Sequence, residues 1–100
     1  MKKENLVAVD EFCAYHNIEI SFVCSLQQAG LIEITTISES WFVHTNQLQK
    51  LEKYIRFYYE LDINLEGIET ITYLLDQINS LHDEVNGLKN HLRLFENPNP

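Results

Sequence analysis

Eight apolar residues in the C-terminal third recur in alternating steps of three and four: Ile71, Leu74, Ile78, Leu81, Val85, Leu88, Leu92 and Phe95. Such positions fall on one side of the chain only if the chain is helical. The spacing therefore predicts one helix from about Leu65 to Phe95, roughly 46 Å long at about 1.5 Å per residue. With Ile71 at position a of a heptad, every a residue except Leu92 is β-branched and every d residue except Phe95 is leucine. That distribution suits a two-stranded coiled coil, and these eight residues are read as a dimer interface. The alternative is a long helix folded back on its own head. A parallel seam would hold one firm charge match, Glu84 with Lys89, so strand direction stays open. The residues before this helix must build any globular head, and a core that small is marginal alone.

The head reads as mainly helical. Leu6–Val9 has the character of a short strand. Asp10 and Glu11 follow, placed where a helix N-terminus favours carboxylates, and Val9, Phe12, Cys13 and His16 keep helical spacing. Asn17-Ile18 interrupts. Ser21 can cap a second helix whose face is Phe22, Val23, Leu26 and Ala29, and Gly30 is the expected stop. Helix, short turn, helix within about twenty residues is a helix-turn-helix pattern. Ile32, Ile34, Thr35, Thr36 and Ile37, then Trp41, Phe42 and Val43, favour strand. Ser38-Glu39-Ser40 is the turn between them, which makes a β-hairpin, or wing. Thr45 or Asn46 caps a third helix, roughly Gln47 to Leu61, with an apolar face of Leu48, Leu51, Ile55 and Tyr58 widened by Tyr54, Phe57 and Leu61. Asp62-Ile63-Asn64 breaks the chain again, and Asn64 can cap the last helix. The expected organisation is a winged helix-turn-helix head with its third helix over residues 1–61, the long helix over 62–96, and a disordered tail over 97–100.

Winged helices of this kind usually grip DNA, and DNA binding rests on neutralising phosphates with Lys and Arg. Here no Lys or Arg occurs from Glu4 to Gln49. The same stretch carries Glu4, Asp10, Glu11, Glu19, Glu33 and Glu39. The formal net charge of the chain is −8, divided evenly between its halves. That balance disfavours nucleic acid and anionic lipid and favours a basic protein partner. No apolar run is long enough to span a membrane, and the start of the chain lacks the form of a signal peptide, so a cytoplasmic location is expected.

The residues of chemistry are sparse. Cys13 and Cys24 are too few for a disulfide framework and sit on apolar helix faces, where thiols pack as small hydrophobes. His16, His44, His82 and His91 are scattered. Cys13 with His16 would supply two metal ligands where a zinc site wants four. No metal, cofactor or catalytic set is expected. Glu66 and Glu69 fall in the first turns of the last helix, where the dipole explains them. Trp41, Phe42, Tyr54, Phe57, Tyr58 and Tyr59 could stack bases, but only Lys50, Lys53 and Arg56 are near. Glu52 and Glu60 can satisfy Lys53 and Arg56 at helical spacing. These aromatics are read mainly as core.

The order strand, helix-turn-helix, hairpin, helix, long helix resembles a MerR-like winged helix. Glu11-Phe12-Cys13, Gly30-Leu31-Ile32-Glu33, Trp41-Phe42-Val43 and Tyr59-Glu60-Leu61-Asp62-Ile63-Asn64-Leu65-Glu66-Gly67-Ile68 resemble more closely the bacterial chaperone-modulator family, CbpM. The resemblance covers about residues 6–95. It implies a non-enzymatic protein that binds the J-domain of a DnaJ-like, CbpA-type co-chaperone and suppresses its stimulation of a DnaK-type chaperone. J-domains of that family present a basic helix, which an acidic protein can cover. The family offers no contact motif to carry over, so the candidate contacts are physical: Asp10, Glu11, Glu19, Glu33 and Glu39 in the head, with Asp62, Glu66 and Glu69 near the last break. DNA-binding MerR proteins carry cations on the second helix and wing, and this chain departs from them there. Duplex DNA is therefore not the expected partner. A MerR-type transcription regulator with an atypical acidic reading head is the alternative, and a bare oligomerisation module is a third.

Overall fold

A computed structural model describes residues 5–96, with the Glu96 side chain excepted. The expected disordered tail at 97–100 lies outside the described residues. The chain divides into two compact units between Glu69 and Thr70.

The first unit opens with β1 (Leu6–Ala8), α1 (Val9–His16) and α2 (Ile20–Gln28). Both helices end in the same way. Asn17 takes a left-handed φ of 58°, and the Ile18 N–H donates to the Cys13 carbonyl at 3.0 Å. Gly30 takes φ 79°, and the Leu31 N–H donates to the Leu26 carbonyl at 2.9 Å. This closure satisfies helix-end carbonyls and commonly tucks the next apolar residue inward. Here Ile18 and Leu31 both pack against the core. Gly30 is the stop the sequence predicted. Ser21 is not the cap: the N-cap position is Glu19, two residues earlier, and the Ser21 hydroxyl donates to Glu19 Oε1 at 3.2 Å. Ile20 is helical in spite of its β-branch, which moves the boundary ahead of the serine.

β2 (Thr35–Ile37) and β3 (Ser40–His44) form the wing. Its turn is two residues, Ser38 and Glu39, both at positive φ (51° and 66°). That is the turn whose twist matches paired strands. Ser40 is paired with Ile37 and belongs to the strand. β1 adds to the other side of β3, giving a three-stranded antiparallel sheet in the order β1-β3-β2. The segment Leu31–Ile34 is not strand, although Ile32 is fully in the core. Its hydrogen bonds go elsewhere: the buried Gln47 amide accepts from the Glu33 N–H at 2.9 Å and donates to the Glu33 carbonyl at 3.0 Å. One side chain thus does what a neighbouring strand would do for this stretch.

A short 3₁₀ turn, Thr45–Gln47, leads into α3 (Leu48–Ile55), which widens into a π-helical turn over Arg56–Glu60. Asp62, again left-handed at φ 61°, stops it, and the Ile63 N–H reaches the Phe57 carbonyl at 2.9 Å. Leu26 of α2, Leu51 of α3 and Ile68 are completely buried, with Val9, Val23, Val43 and Tyr54 almost so. Tyr54 carries its hydroxyl to the Leu31 carbonyl at 3.5 Å. Because Ile63, Leu65 and Ile68 belong to this core, the first unit runs past residue 61, where the sequence pattern ended the head. Cys13 is buried in the same core, and both cysteines are free thiols. Burial, then the nearby Asp10 charge and Cys24, raise the Cys13 thiol above its ordinary range. Cys24 is half-buried, less covered than its apolar face suggested.

α4 runs from Leu65 to Glu96, 32 residues, or about 48 Å. Asn64 caps it as expected, its Oδ1 accepting from the Gly67 N–H at 2.8 Å. A Cβ on Gly67 would stand 2.7 Å from Ile63 Cγ2 and 3.1 Å from that same Asn64 oxygen.

Two outcomes follow from this packing. Alanine normally stabilises a helix by about 1 kcal/mol over glycine. Gly67→Ala should instead destabilise by about 1–3 kcal/mol, through overpacking and a displaced cap; a higher urea midpoint for the variant would contradict the crowding. In thiol labelling of the native protein at pH 8, Cys24 should react well before Cys13, whose label should wait for unfolding. Equal rates would mean that the α1 face is open.

Candidate partner-binding surface

All eight candidate acids are exposed. Asp10 and Glu11 occupy the first turn of α1, Glu19 the α1–α2 turn, and Glu33 the loop after α2. Glu39 stands at the wing tip, Asp62 at the end of the π turn, and Glu66 and Glu69 at the start of α4. The structure gathers only some of them. Glu19 lines one cavity with Tyr58, Tyr59 and Leu65, which joins it to the segment carrying Asp62 and Glu66. Asp10 and Glu11 share the first turn of α1, while Glu33 and Glu39 each sit on another element.

The element that would read a duplex has no charge to read it with. α2 is Ile-Ser-Phe-Val-Cys-Ser-Leu-Gln-Gln, without an acid or a cation. The wing from Thr35 to His44 offers Glu39 and His44 alone among titratable side chains. Among the described residues of the first unit, the lysines and arginine lie on α3 and its π turn instead. Lys50, Lys53 and Arg56 line a groove of about 540 Å³ with Glu52, Phe57 and Leu61. Among the described residues, Lys53 and Arg56 make no ion pair with Glu52 or Glu60, contrary to the pattern read from the sequence. Exposed pairs of this kind hold by only a few tenths of a kcal/mol, and the π turn takes Glu60 out of α-helical register with Arg56.

Three aromatics expected inside the core are outside it. Trp41 is 42% exposed, Tyr58 40% and Tyr59 44%. Trp41 sits next to the wing turn, paired with Thr36 across the hairpin. Tyr58 stacks on buried Phe22 at 4.5 Å between centroids, inclined 31°, and Tyr59 meets both rings edge-on at 5.5 and 5.0 Å. The sequence carried no sign of this cluster, because an α-helical projection does not include a π turn. His16 is packed against Phe12 at 4.2 Å. No group of three or more His, Cys, Asp or Glu side chains gathers among the described residues.

The second unit shows an apolar stripe. Ile71 is half-buried, while Leu74, Ile78, Leu81, Val85, Leu88, Leu92 and Phe95 are 48–71% exposed. Ile78, Leu81, His82 and Val85 line a depression of about 220 Å³. No helix among the described residues is long and apolar enough to cross a membrane.

Comparison with known proteins places these features. No curated protein and no solved structure matches the chain. A family model described as MerR HTH family regulatory protein matches residues 7–90, from β1 through most of α4. With the helix-turn-helix, the wing and the long terminal helix all inside that match, the chain belongs to the MerR helix-turn-helix regulatory family.

Proposed function

We propose that this protein is a non-enzymatic chaperone modulator. It binds the J-domain of a DnaJ-like, CbpA-type co-chaperone through an acidic surface and restrains the stimulation of a DnaK-type chaperone. The observation that carries this reading is the charge on the reading head. α2 is uncharged, the wing carries Glu39, and the exposed acids of the first unit include Asp10, Glu11, Glu19, Glu33, Asp62, Glu66 and Glu69, with Lys50 beside Glu33 and His44. A polyanion would be repelled from such a face, whereas a basic helix would be steered to it.

The protein acts as a homodimer in this reading, joined through Ile71, Leu74, Ile78, Leu81, Val85, Leu88, Leu92 and Phe95. Seven of these eight are exposed along one helix, a stripe that water alone covers poorly. The depression at Ile78, Leu81, His82 and Val85 has the i, i+3, i+4, i+7 arrangement that receives a knob from a facing helix.

A second reading, a MerR-type transcription regulator with an atypical acidic head, is equally compatible with the family match. It requires retention on duplex DNA, and no mobility shift even at low salt would remove it.

Titration calorimetry against a J-domain from the same organism should give saturable binding. That binding should weaken as salt rises from about 0.01 to 0.15 M and the screening length falls from about 30 to 8 Å. No heat at either salt would sink the proposal. The wild-type protein should sediment at twice its 11.8 kDa chain mass, and Leu81→Glu should shift it to monomer. A wild-type monomer at the highest concentrations tested would rule the dimer out.

A further inference from the structure

The π turn places two tyrosines where an α-helix would not. In the wider turn consecutive residues step around the axis by less, so Tyr58 and Tyr59 line one cavity together. Isolated π turns of this sort recur at functional positions. Buried Phe22 forms the back of the cavity, and Tyr58 stacks on it at 4.5 Å. The Glu19 N–H donates to the Tyr59 hydroxyl at 3.3 Å, which ties that ring to the α1–α2 turn. The Ser21 hydroxyl, donating to Glu19 Oε1 at 3.2 Å, holds the carboxylate beside the opening.

The volume of this half-open cavity is about 130 Å³. That is below the roughly 300 Å³ at which small-molecule sites begin. It has room for the tip of one side chain. Its chemistry selects the charge: aromatic faces attract a cation, most strongly where water is partly excluded, and Glu19 supplies the counter-charge. Among the described residues, no Lys or Arg lines the cavity.

We propose that the cavity formed by Glu19, Phe22, Tyr58 and Tyr59 is a receptor for a single arginine side chain of a basic protein partner. The planar guanidinium can lie on a tyrosine face while its edge meets the carboxylate. The assignment rests on the reading that the partner is basic. It narrows the eight exposed acids to one anchoring contact, Glu19, with the rest supplying long-range attraction.

The test titrates N-acetyl-arginine methylamide into the full-length protein and follows the side-chain and amide resonances by NMR. The citrulline counterpart, uncharged and of the same shape, is the control. Expected are saturable shifts at the Tyr58 and Tyr59 rings and at Glu19, absent with citrulline. Tyr58→Leu should weaken them about two- to fivefold. Glu19→Gln, at an exposed position that leaves the fold alone, should weaken them as well. Equal shifts with citrulline, no shift at these residues, or shifts of the same size at Asp10 and Glu39 would overturn the assignment. The J-domain is not in this titration. An arginine that binds here while the J-domain gives no heat defeats the chaperone reading alone. A J-domain that binds equally well to wild type and Glu19→Gln defeats the anchoring contact alone.

Discussion

Left-handed backbone at three single residues decides where the helices of the head stop. An ordinary residue in that conformation loses roughly 1–2 kcal/mol, so at these helix ends the position falls to Gly, Asn or Asp. Gly30, Asn17 and Asp62 are those residues. At each stop the following N–H groups turn back to carbonyls the helix has released, and the chain reverses without leaving them unpaired. The residue just beyond each stop is apolar and packs inward: Ile18, Leu31, Ile63. The convergence of Leu26, Leu51 and Ile68 at zero exposure depends on these endings. A helix that overran by one turn would carry its connecting isoleucine or leucine away from the others.

Among the described residues of the first unit, the lysines and arginine are confined to α3 and its π turn. Lys50, Lys53 and Arg56 line one groove there with Glu52, Phe57 and Leu61. Lys50 also lines a second pocket with Glu33 and His44, so charges of both signs meet beside the wing.

Much of the fold was legible in the residues. The heptads gave α4, Gly30 gave the end of α2, Asn64 gave the cap of α4, and the strand-formers on either side of Ser38-Glu39 gave the wing. What was not legible depends on partners distant in sequence. Nothing in Gln47 shows that its amide will serve the Glu33 backbone, and so Leu31–Ile34 looked like strand. Leu6–Ala8 showed itself as a strand but not as a neighbour of β3. The π turn has no compositional signature, so Tyr58 and Tyr59 were assigned to a core from which they are displaced. For the candidate surface, the sequence identified the acids but not which of them shares a wall with aromatic rings.

The sheet has one further consequence. β3 is its central strand, with β1 along residues 42–44 on one side and β2 along residues 40–42 on the other, so the longest strand leaves only two residues free on either edge. The exposed edges belong to strands of three residues each, too short to template another chain. A wing that must stay accessible is thereby kept from recruiting copies of itself by strand addition. Assembly through this head is left to side chains, which can discriminate between partners where backbone pairing cannot.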